Sequence, residues 1–451
     1  MRALGIAVAL VGLLLLTGCG GPARTVQGDA VAASSTAAAT VTTTAKSAAL
    51  WSIPQKGNSS QMMSVVGDVV IVPEGTGVVA VDRTSGAQRW HREVKAPNGE
   101  MFYRVGDGTI VLTEYVAGSS DPAPLEVVEA TTGRMLWQSS ASAVVAFGQA
   151  VYTVDCTGPV SKQVCTTMRH GIRDGVPTWA SPARGSVKKD TVGAWHERAP
   201  IEPAYQAISV PDSDPYVLAL VDTATGVVLP GRGESHAWFA VGAGDALAIT
   251  DSEPANGRSE CAVDVRTTNA RDNTLRYTAT LYSGRRKSGD CQLALGPIFG
   301  GEFIGTGSRI AAVTASGTPQ LFDLVTGQTI WTGTDPGSPL DGDDRSLLFG
   351  TFADQGGLSL FDLATGAKKW SIPDPGLPGY PQDPKTIIAG DRVVVGAWIA
   401  DGADKGPIAV VYDRDTGREV TRYHGWLNGA GADWIAIGVT ADAGSVNIEF
   451  H

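Results

Sequence analysis

The sequence predicts an all-β fold built from repeated antiparallel units, and three observations lead to this prediction. A short Asp-x-x-Thr-Gly pattern recurs along the chain, an apolar strand precedes its copies, and tryptophan often follows the glycine by four residues. No long stretch after the first 50 residues has the 3.6-residue apolar period of an amphipathic helix. The 56 glycines among 451 residues also fit a chain with many tight turns.

The recurring pattern reads as a strand, a tight turn and a returning strand. Its copies are Asp82–Gly86, Asp222–Gly226, Asp323–Gly327, Asp362–Gly366 and Asp413–Gly417, with a variant at Glu129–Gly133 and a degraded copy ending at Gly175. Aspartate can accept a backbone N–H within such a turn, and glycine adopts a positive φ without steric cost. The tryptophans on the returning strands are expected to pack between adjacent units, and they are Trp90, Trp137, Trp179, Trp331 and Trp370.

The spacing of the turns predicts a β-propeller. Most successive glycines lie about 40–50 residues apart, the period of four-stranded propeller blades. The interval from Gly226 to Gly327 is twice as long, so we expect a cryptic unit between Val227 and Pro297. We therefore predict eight four-stranded blades, with seven as the alternative. Strands from both termini, at residues 50–53 and 434–439, are expected to share one blade and close the ring.

The Asp-x-x-Thr-Gly-x-x-x-Trp pattern resembles the PQQ-like propeller repeat family from Leu50 to the C-terminus. Members that are quinoprotein dehydrogenases bind pyrroloquinoline quinone and calcium on the propeller axis and use an aspartate as base. They typically carry two adjacent cysteines, which this chain lacks. We therefore expect no cofactor and no catalytic residue, and we assign the repeated tryptophans to packing between blades.

The N-terminus has the layout of a bacterial export signal. Arg2 precedes an apolar run that is too short to span a membrane, and Leu16-Thr17-Gly18-Cys19 follows. This tetrapeptide resembles a lipobox, which implies cleavage before Cys19 and lipid attachment to its sulfur. Residues 1–18 are thus predicted to be the signal peptide, 19–49 a flexible Ala/Thr/Ser-rich tether, and 50–451 the propeller.

The four remaining cysteines suggest two disulfides, as expected for an exported chain. Three pairings are possible in principle, and proximity in sequence favours Cys156–Cys165 and Cys261–Cys291. Zinc is the weaker alternative because the chain has no Cys-x-x-Cys and no histidine at ligand spacing from a cysteine pair.

Other polar clusters suggest weaker candidate sites. Asp335, Asp341, Asp343 and Asp344 could form a calcium loop, but they lack EF-hand spacing; a solvated loop is the preferred interpretation, and Asp401 and Asp404 are weaker still. We therefore predict no metal. The basic tip Arg285–Lys287 and the insertion Pro182–Ala204 are candidate partner sites. The formal net charge of −11 argues against nucleic-acid binding.

These observations favour a non-catalytic protein-interaction scaffold that is lipid-anchored outside the cytoplasm of a bacterium. It would be similar to the propeller lipoprotein of the outer-membrane barrel-assembly machinery. Two alternatives stay open, a surface sensor of small molecules or glycans and a quinone-dependent oxidoreductase, since a fold does not specify a function.

The lipid anchor gives a direct prediction. Cys19→Ser should leave the protein unprocessed or released from the membrane, because the mature sequence offers no second anchor. Cell fractionation and metabolic labelling with a fatty-acid analogue measure both effects. Label incorporated into the Cys19→Ser variant would show that the lipid is attached elsewhere.

Overall fold

A computed structural model describes most of the chain after the predicted tether. The described residues are 48–55, 63–74, 77–93, 100–115, 123–141, 143–157, 164–181, 202, 204–210, 216–235, 240–243, 246–251, 260–285, 309–314, 317–335, 337–350, 357–372, 385–399, 406–440 and 446–451. Within these ranges the secondary structure consists of strands, and no helix is present. The all-β fold is therefore confirmed.

The described strands form consecutive antiparallel sheets, which we number in chain order. Sheet 1 contains β2 (Ser64–Val66), β3 (Val69–Glu74), β4 (Gly77–Asp82) and β5 (Gln88–Glu93). Sheet 2 contains β6 (Glu100–Val105), β7 (Thr109–Tyr115), β8 (Ala123–Glu129) and β9 (Met135–Ala141). Sheet 3 contains β10 (Ala143–Ala146), β11 (Ala150–Thr157), β12 (Val164–Gly171) and β13 (Pro177–Ser181).

The middle of the chain forms three more sheets, two of which have three described strands. Sheet 4 contains β14 (Tyr205–Val210), β15 (Tyr216–Asp222) and β16 (Gly233–Ser235). Sheet 5 contains β17 (Ala240–Ala243), β18 (Ala246–Asp251), β19 (Glu260–Asn269) and β20 (Leu275–Arg285). Sheet 6 contains β21 (Arg309–Val313), β22 (Pro319–Asp323) and β23 (Gln328–Thr332).

The last three sheets complete the series and include a strand from the start of the chain. Sheet 7 contains β24 (Ser338–Gly342), β25 (Ser346–Gly350), β26 (Leu358–Asp362) and β27 (Lys368–Ile372). Sheet 8 contains β28 (Lys385–Ala389), β29 (Arg392–Ile399), β30 (Gly406–Asp413) and β31 (Glu419–His424). Sheet 9 contains β32 (Trp426–Ala430), β33 (Ile435–Thr440), β34 (Val446–Phe450) and β1 (Trp51–Pro54).

The described residues thus form nine sheets, one more than the eight blades predicted. The predicted cryptic unit exists as sheet 5, whose turn runs from Asn269 to Asn273. The extra sheet is the one shared by the termini. This sheet has no Asp-Gly turn that could be counted in the sequence. In its place β34 ends and β1 begins, and the two strands pair from Trp51–Phe450 to Pro54–Asn447.

The ring of sheets has two different faces, one at each end of the strands. On one, which we call the turn face, lie the Asp-Gly turns and the short hairpins between the first two strands of each complete sheet. The opposite ends of these strands form the other face, which we call the loop face. Apolar side chains fill the spaces between neighbouring sheets, as in the cluster of Val393, Val395 and Ile408 from sheet 8 with Leu348 and Leu360 from sheet 7.

One contact repeats between successive sheets. A tryptophan on the fourth strand of a sheet donates its indole N–H to the carbonyl of the second residue of the next sheet's turn, at 2.8–2.9 Å. The tryptophans that do so are Trp51, Trp90, Trp137, Trp179, Trp331 and Trp370. The repeated tryptophans thus each contact the next sheet, and Trp51 adds a contact from sheet 9 to sheet 1 that closes the ring.

The indole ring lies against the turn glycine of the next sheet. A Cβ at Gly366 would lie 2.4 Å from Trp331 Cγ, and a Cβ at Gly226 would lie 2.6 Å from Trp179 Cδ2. These glycines also have positive φ, 69° at Gly366 and 74° at Gly226. Glycine is thus required at these positions for two reasons, the positive φ of the backbone and the space that the indole ring occupies.

The exceptions follow from the same contact. Sheet 4 has Pro230 where the tryptophan would stand, and the turn of sheet 5 that it faces ends in Asn273, which has a φ of 61°. Here the two backbones meet directly, with Gly231 N–H donating to Ala270 O at 2.7 Å. Without a ring to accommodate, asparagine is tolerated because it is the side chain that most readily adopts this conformation.

The ring-on-glycine contact gives a matched pair of substitutions. Gly366→Ala should destabilise the domain by about 2–4 kcal/mol, since it adds a clash with Trp331 to the backbone strain. Gly67→Ala is the control: Gly67 has a φ of 63°, but a Cβ at this position would meet no atom within 4 Å, so only strain of about 1–2 kcal/mol is expected. Denaturant unfolding midpoints measure the difference, and equal losses would contradict the packing role.

Candidate functional site

The acidic residue of each turn is occupied by its own turn. Asp82 Oδ1 accepts the backbone N–H groups of Thr84 and Ser85 at 3.0 and 2.9 Å, and Arg89 donates to Oδ2 at 2.6 Å. These bonds, the one from Arg89 foremost, hold the pKa of Asp82 well below its usual range. The same capping bonds occur at Asp222, Asp323, Asp362 and Asp413. The repeated aspartates therefore stabilise the turns.

Three of the four aspartates considered for calcium, Asp335, Asp341 and Asp343, are bound to different partners. Asp335 accepts from Lys368 Nζ at 3.0 Å and from Ser359 Oγ at 3.0 Å. Asp343 accepts from Arg414 Nη2 at 2.6 Å, and the Arg414 side chain is only 1% exposed. Asp344 is exposed. In the part of the chain that the structure describes, no three His, Cys, Asp or Glu side chains are grouped to hold a metal ion. Asp401 and Asp404 lie outside those residues.

Asp341 is a buried carboxyl group that joins sheet 7 to sheet 8. Its Oδ1 accepts the Gly342 N–H at 2.8 Å, and its Oδ2 accepts the N–H of Ile388, on the first strand of sheet 8, at 2.6 Å. Burial raises the pKa of Asp341 to about 7, against the opposing effect of these two hydrogen bonds. The carboxyl thus links the innermost strands of two neighbouring sheets near the turn face.

The repeated tryptophans and aspartates do not form a site for a quinone and its calcium ion. Such a site needs a stacking ring, a set of oxygen ligands and polar groups that converge on one place. The six repeated tryptophans are spread one to a sheet, and each is committed to the turn of the next sheet. The repeated aspartates are likewise committed to their turns. We derive no cofactor chemistry from these residues.

The insertion Pro182–Ala204 is fixed at its C-terminal end, although most of it lies outside the described residues. Glu202 accepts from Arg169 Nε and Nη2, both at 2.7 Å, and from the hydroxyl of Tyr152. Tyr152 is fully buried, and this burial is the main reason why its pKa is raised. Ala204 O accepts from Thr223 N–H at 3.0 Å, so the end of the insertion is held against sheets 3 and 4.

The backbone positions of the cysteines bear on the predicted disulfides. Cys156 on β11 and Cys165 on β12 are directly opposite in the register, where Cα atoms are about 4.5–5.5 Å apart, a separation that suits a disulfide. Cys261 lies on β19 opposite Gly284, and Cys291 lies outside the described residues. Of the basic tip, the backbone of Arg285 ends β20 on the loop face, whereas Arg286 and Lys287 are outside.

Two tryptophans on the loop face do not belong to the repeat. Trp398 lies near the end of β29 and Trp426 begins β32, so both lie where sheet 8 meets sheet 9. Their ring centroids are 5.2 Å apart, with the planes tilted by 37°. Trp398 is half-buried, whereas Trp426 is 48% exposed. The side chain of Trp426 has a surface of roughly 200 Å². Leaving about half of this surface in water costs about 2–3 kcal/mol of free energy, which a partner that covers the ring would recover.

Several of these residues have no direct signal in the sequence. Glu202 and the Trp398–Trp426 pair follow no repeated spacing. Tyr277 could have been found, because it stands four residues after Asn273 and donates its hydroxyl to Leu324 O at 2.6 Å, in the place of a repeated tryptophan. The predicted lipidation residue Cys19, the predicted signal peptide and the predicted tether up to residue 47 lie outside the described residues. Within those residues, no helix could cross a bilayer.

Comparison with known proteins places the chain among propeller proteins. The model of the family described as outer membrane protein assembly factor BamB matches residues 23–181 and 125–372. The chain is similar to the solved structure of BamB from Moraxella catarrhalis at 15% identity, over 89% of this chain and 97% of that chain, with a TM-score of 0.41.

Two further solved structures show a similar degree of likeness. The computationally designed Ika8 protein is 14% identical over 90% of this chain and 100% of that chain, with a TM-score of 0.44. Quinohemoprotein alcohol dehydrogenase from Comamonas testosteroni is 12% identical over 89% and 76%, with a TM-score of 0.41. No curated protein sequence matches the chain.

The opposed positions of Cys156 and Cys165 support a chemical prediction. Peptide mapping of the oxidised protein without reductant should recover these two cysteines in one linked fragment, and Cys261 linked to Cys291. Cys156→Ser should loosen the β11–β12 hairpin locally, since both cysteines lie within one sheet. Free thiols at all four positions would contradict both the disulfides and the exported location.

Asp341 predicts a pH dependence of stability. Because its folded pKa of about 7 exceeds the usual aspartate value of 3.8, the folded state keeps a proton that the unfolded state loses. The free energy of unfolding should therefore fall as pH rises from about 4 to 7, by at most about 1.4 kcal/mol per pH unit from this group. Asp341→Asn should remove this slope, although it lowers stability at each pH by offering one acceptor to two N–H groups.

Thermal unfolding of the wild type and Asp341→Asn between pH 4.5 and 7.5 measures the difference in slope, in which other titrating groups cancel. Asp335→Asn is the control, because hydrogen bonds from Lys368, Ser371 and Ser359 outweigh partial burial and lower the pKa of Asp335. Its loss should leave the slope in this range unchanged. Parallel curves for the wild type and Asp341→Asn would contradict the assignment.

Proposed function

The chain belongs to the protein family described as outer membrane protein assembly factor BamB, and on this premise we propose that it is a non-catalytic scaffold for proteins of the bacterial cell envelope. The family model covers residues from 23 to 372, most of the repeat domain. The proposed scaffold lies outside the cytoplasm and is anchored to the membrane through a lipid on Cys19.

The observation that carries the proposal is the difference between the two faces. On the turn face, the described carboxylates of the repeated turns and the repeated indoles are already bonded within the ring. The Trp398–Trp426 pair, which breaks the repeat, lies on the loop face, away from these turns. A rigid ring that presents unique residues on one face suits binding rather than turnover.

The position of the first strand supports the anchor. β1 is the outermost strand of sheet 9, and Leu50, just before it, is 65% exposed on the turn face. The described part of the domain therefore begins at the edge of sheet 9, at a position accessible to solvent on the turn face.

Photo-crosslinking in intact cells tests the proposal. A photoreactive amino acid is placed at one exposed position at a time, His424 or Thr440 on the loop face and Thr84 or Asp415 on the turn face. We expect discrete crosslinks to membrane proteins from the loop-face positions, and few from the turn face. Crosslinks from neither face, or dye-linked dehydrogenase activity on adding pyrroloquinoline quinone and calcium, would overturn the proposed function.

A further inference from the structure

Trp398 and Trp426 are set apart from the other described tryptophans. Six tryptophans dock on the next sheet through their indole N–H groups, and Trp434 is buried at 2% exposure. The pair has neither role. Trp426 is the most exposed described tryptophan, and the centroid of the Trp398 ring lies 5.2 Å from that of Trp426. The pair therefore presents an aromatic surface that the ring itself does not use.

The backbone holds this surface in place. Trp426 follows Gly425, whose φ of 147° and close approach to Gly438 leave no space for a side chain: a Cβ there would lie 2.5 Å from Gly438 O. The Gly425 N–H also donates to Pro407 O at 2.8 Å. Pro407 lies on β30 directly opposite Trp398 on β29, so this hydrogen bond fixes the connection from sheet 8 to sheet 9 next to Trp398. The two rings are thus presented in a preformed arrangement, which lowers the entropic cost of binding.

The charge of the chain favours one kind of occupant. The formal net charge is −11, so cationic partners are attracted and anionic ones repelled. Tryptophan is the aromatic side chain whose ring face binds cations best, and arginine also stacks on it as a plane.

We propose that the Trp398–Trp426 pair is a docking site for a basic segment of an envelope protein, with an arginine or lysine side chain stacked on the ring of Trp426. This proposal rests on the scaffold function above and specifies its surface and the chemistry of the partner. The stacked cation covers the exposed half of Trp426, while neighbouring basic residues of the segment benefit from the acidic charge of the domain.

The test uses the full mature chain and two peptide probes. One is acetyl-Gly-Arg-Gly-Arg-Gly-amide, and the other has citrulline, an uncharged isostere, in place of both arginines. Titration calorimetry and tryptophan fluorescence should show that the arginine peptide binds more tightly, and that added salt weakens its binding. Trp426→Leu keeps an apolar side chain but loses the ring, so it should weaken binding about two- to five-fold.

Leu275→Ala provides the matched control, because Leu275 is 56% exposed and lies on sheet 5, at the other end of its strand from the loop face. This variant should bind the arginine peptide as the wild type does. Unchanged binding by Trp426→Leu would show that general charge attraction alone is responsible and would overturn the proposal. Equal affinity for the citrulline peptide would overturn it as well, as would binding of an N-acetylglucosamine tetramer in place of the peptides.

The same variant separates this proposal from the scaffold function. If the crosslinks from Thr440 persist in Trp426→Leu cells, and the peptide results are also negative, the scaffold function stands and the docking site lies elsewhere on the loop face. If the crosslinks are lost in Trp426→Leu but kept in Leu275→Ala, the pair is the site at which the partner docks.

Discussion

The closed arrangement of the sheets depends on one contact, in which an aromatic side chain packs on the turn glycine of the next sheet. It combines three requirements at one point: a backbone conformation that favours glycine, an open space above that glycine, and a carbonyl that accepts the indole N–H. The N–H of the same turn residue bonds to the hairpin of its own sheet, as Leu363 does to Arg345 at 3.0 Å. Each turn therefore fixes its own sheet and positions the preceding one.

Where the contact is missing, the chain replaces it in a different way at each place. Between sheets 4 and 5 the Gly231 N–H donates to Ala270 O, and Arg271 Nη2 donates to the hydroxyl of Tyr205 at 2.8 Å. Between sheets 8 and 9 the ring of Tyr423 lies 4.6 Å from that of the C-terminal His451, which is almost fully buried. These two junctions keep the geometry of the ring without the indole, so the repeat is a spatial rule that several side chains satisfy.

The sequence was sufficient for the parts of the structure that repeat. Asp82, Gly86 and Trp90 each have a local cause, and their recurrence revealed the strands, the turns and the packing role of the ring. It undercounted the sheets, because the ninth is assembled from strands about 400 residues apart and has no turn of its own. It also could not foresee that Asp341, Asp343 and Asp335 would face different partners, or that Glu202 would meet Arg169, since such contacts depend on register and on long-range approach.

The sheet shared by the two ends of the chain has a consequence for how the protein forms. Trp51 pairs with Phe450, so β1 finds its place in sheet 9 only after residues 446–450 have been made. Until then sheet 9 has an unpaired edge and sheet 1 lacks the ring that covers Gly86. Closing the ring is thus the step with the longest sequence separation, and such steps are slow and leave strand edges open to wrong pairing. A chain that is still being made must therefore be protected until β34 is complete and pairs with β1.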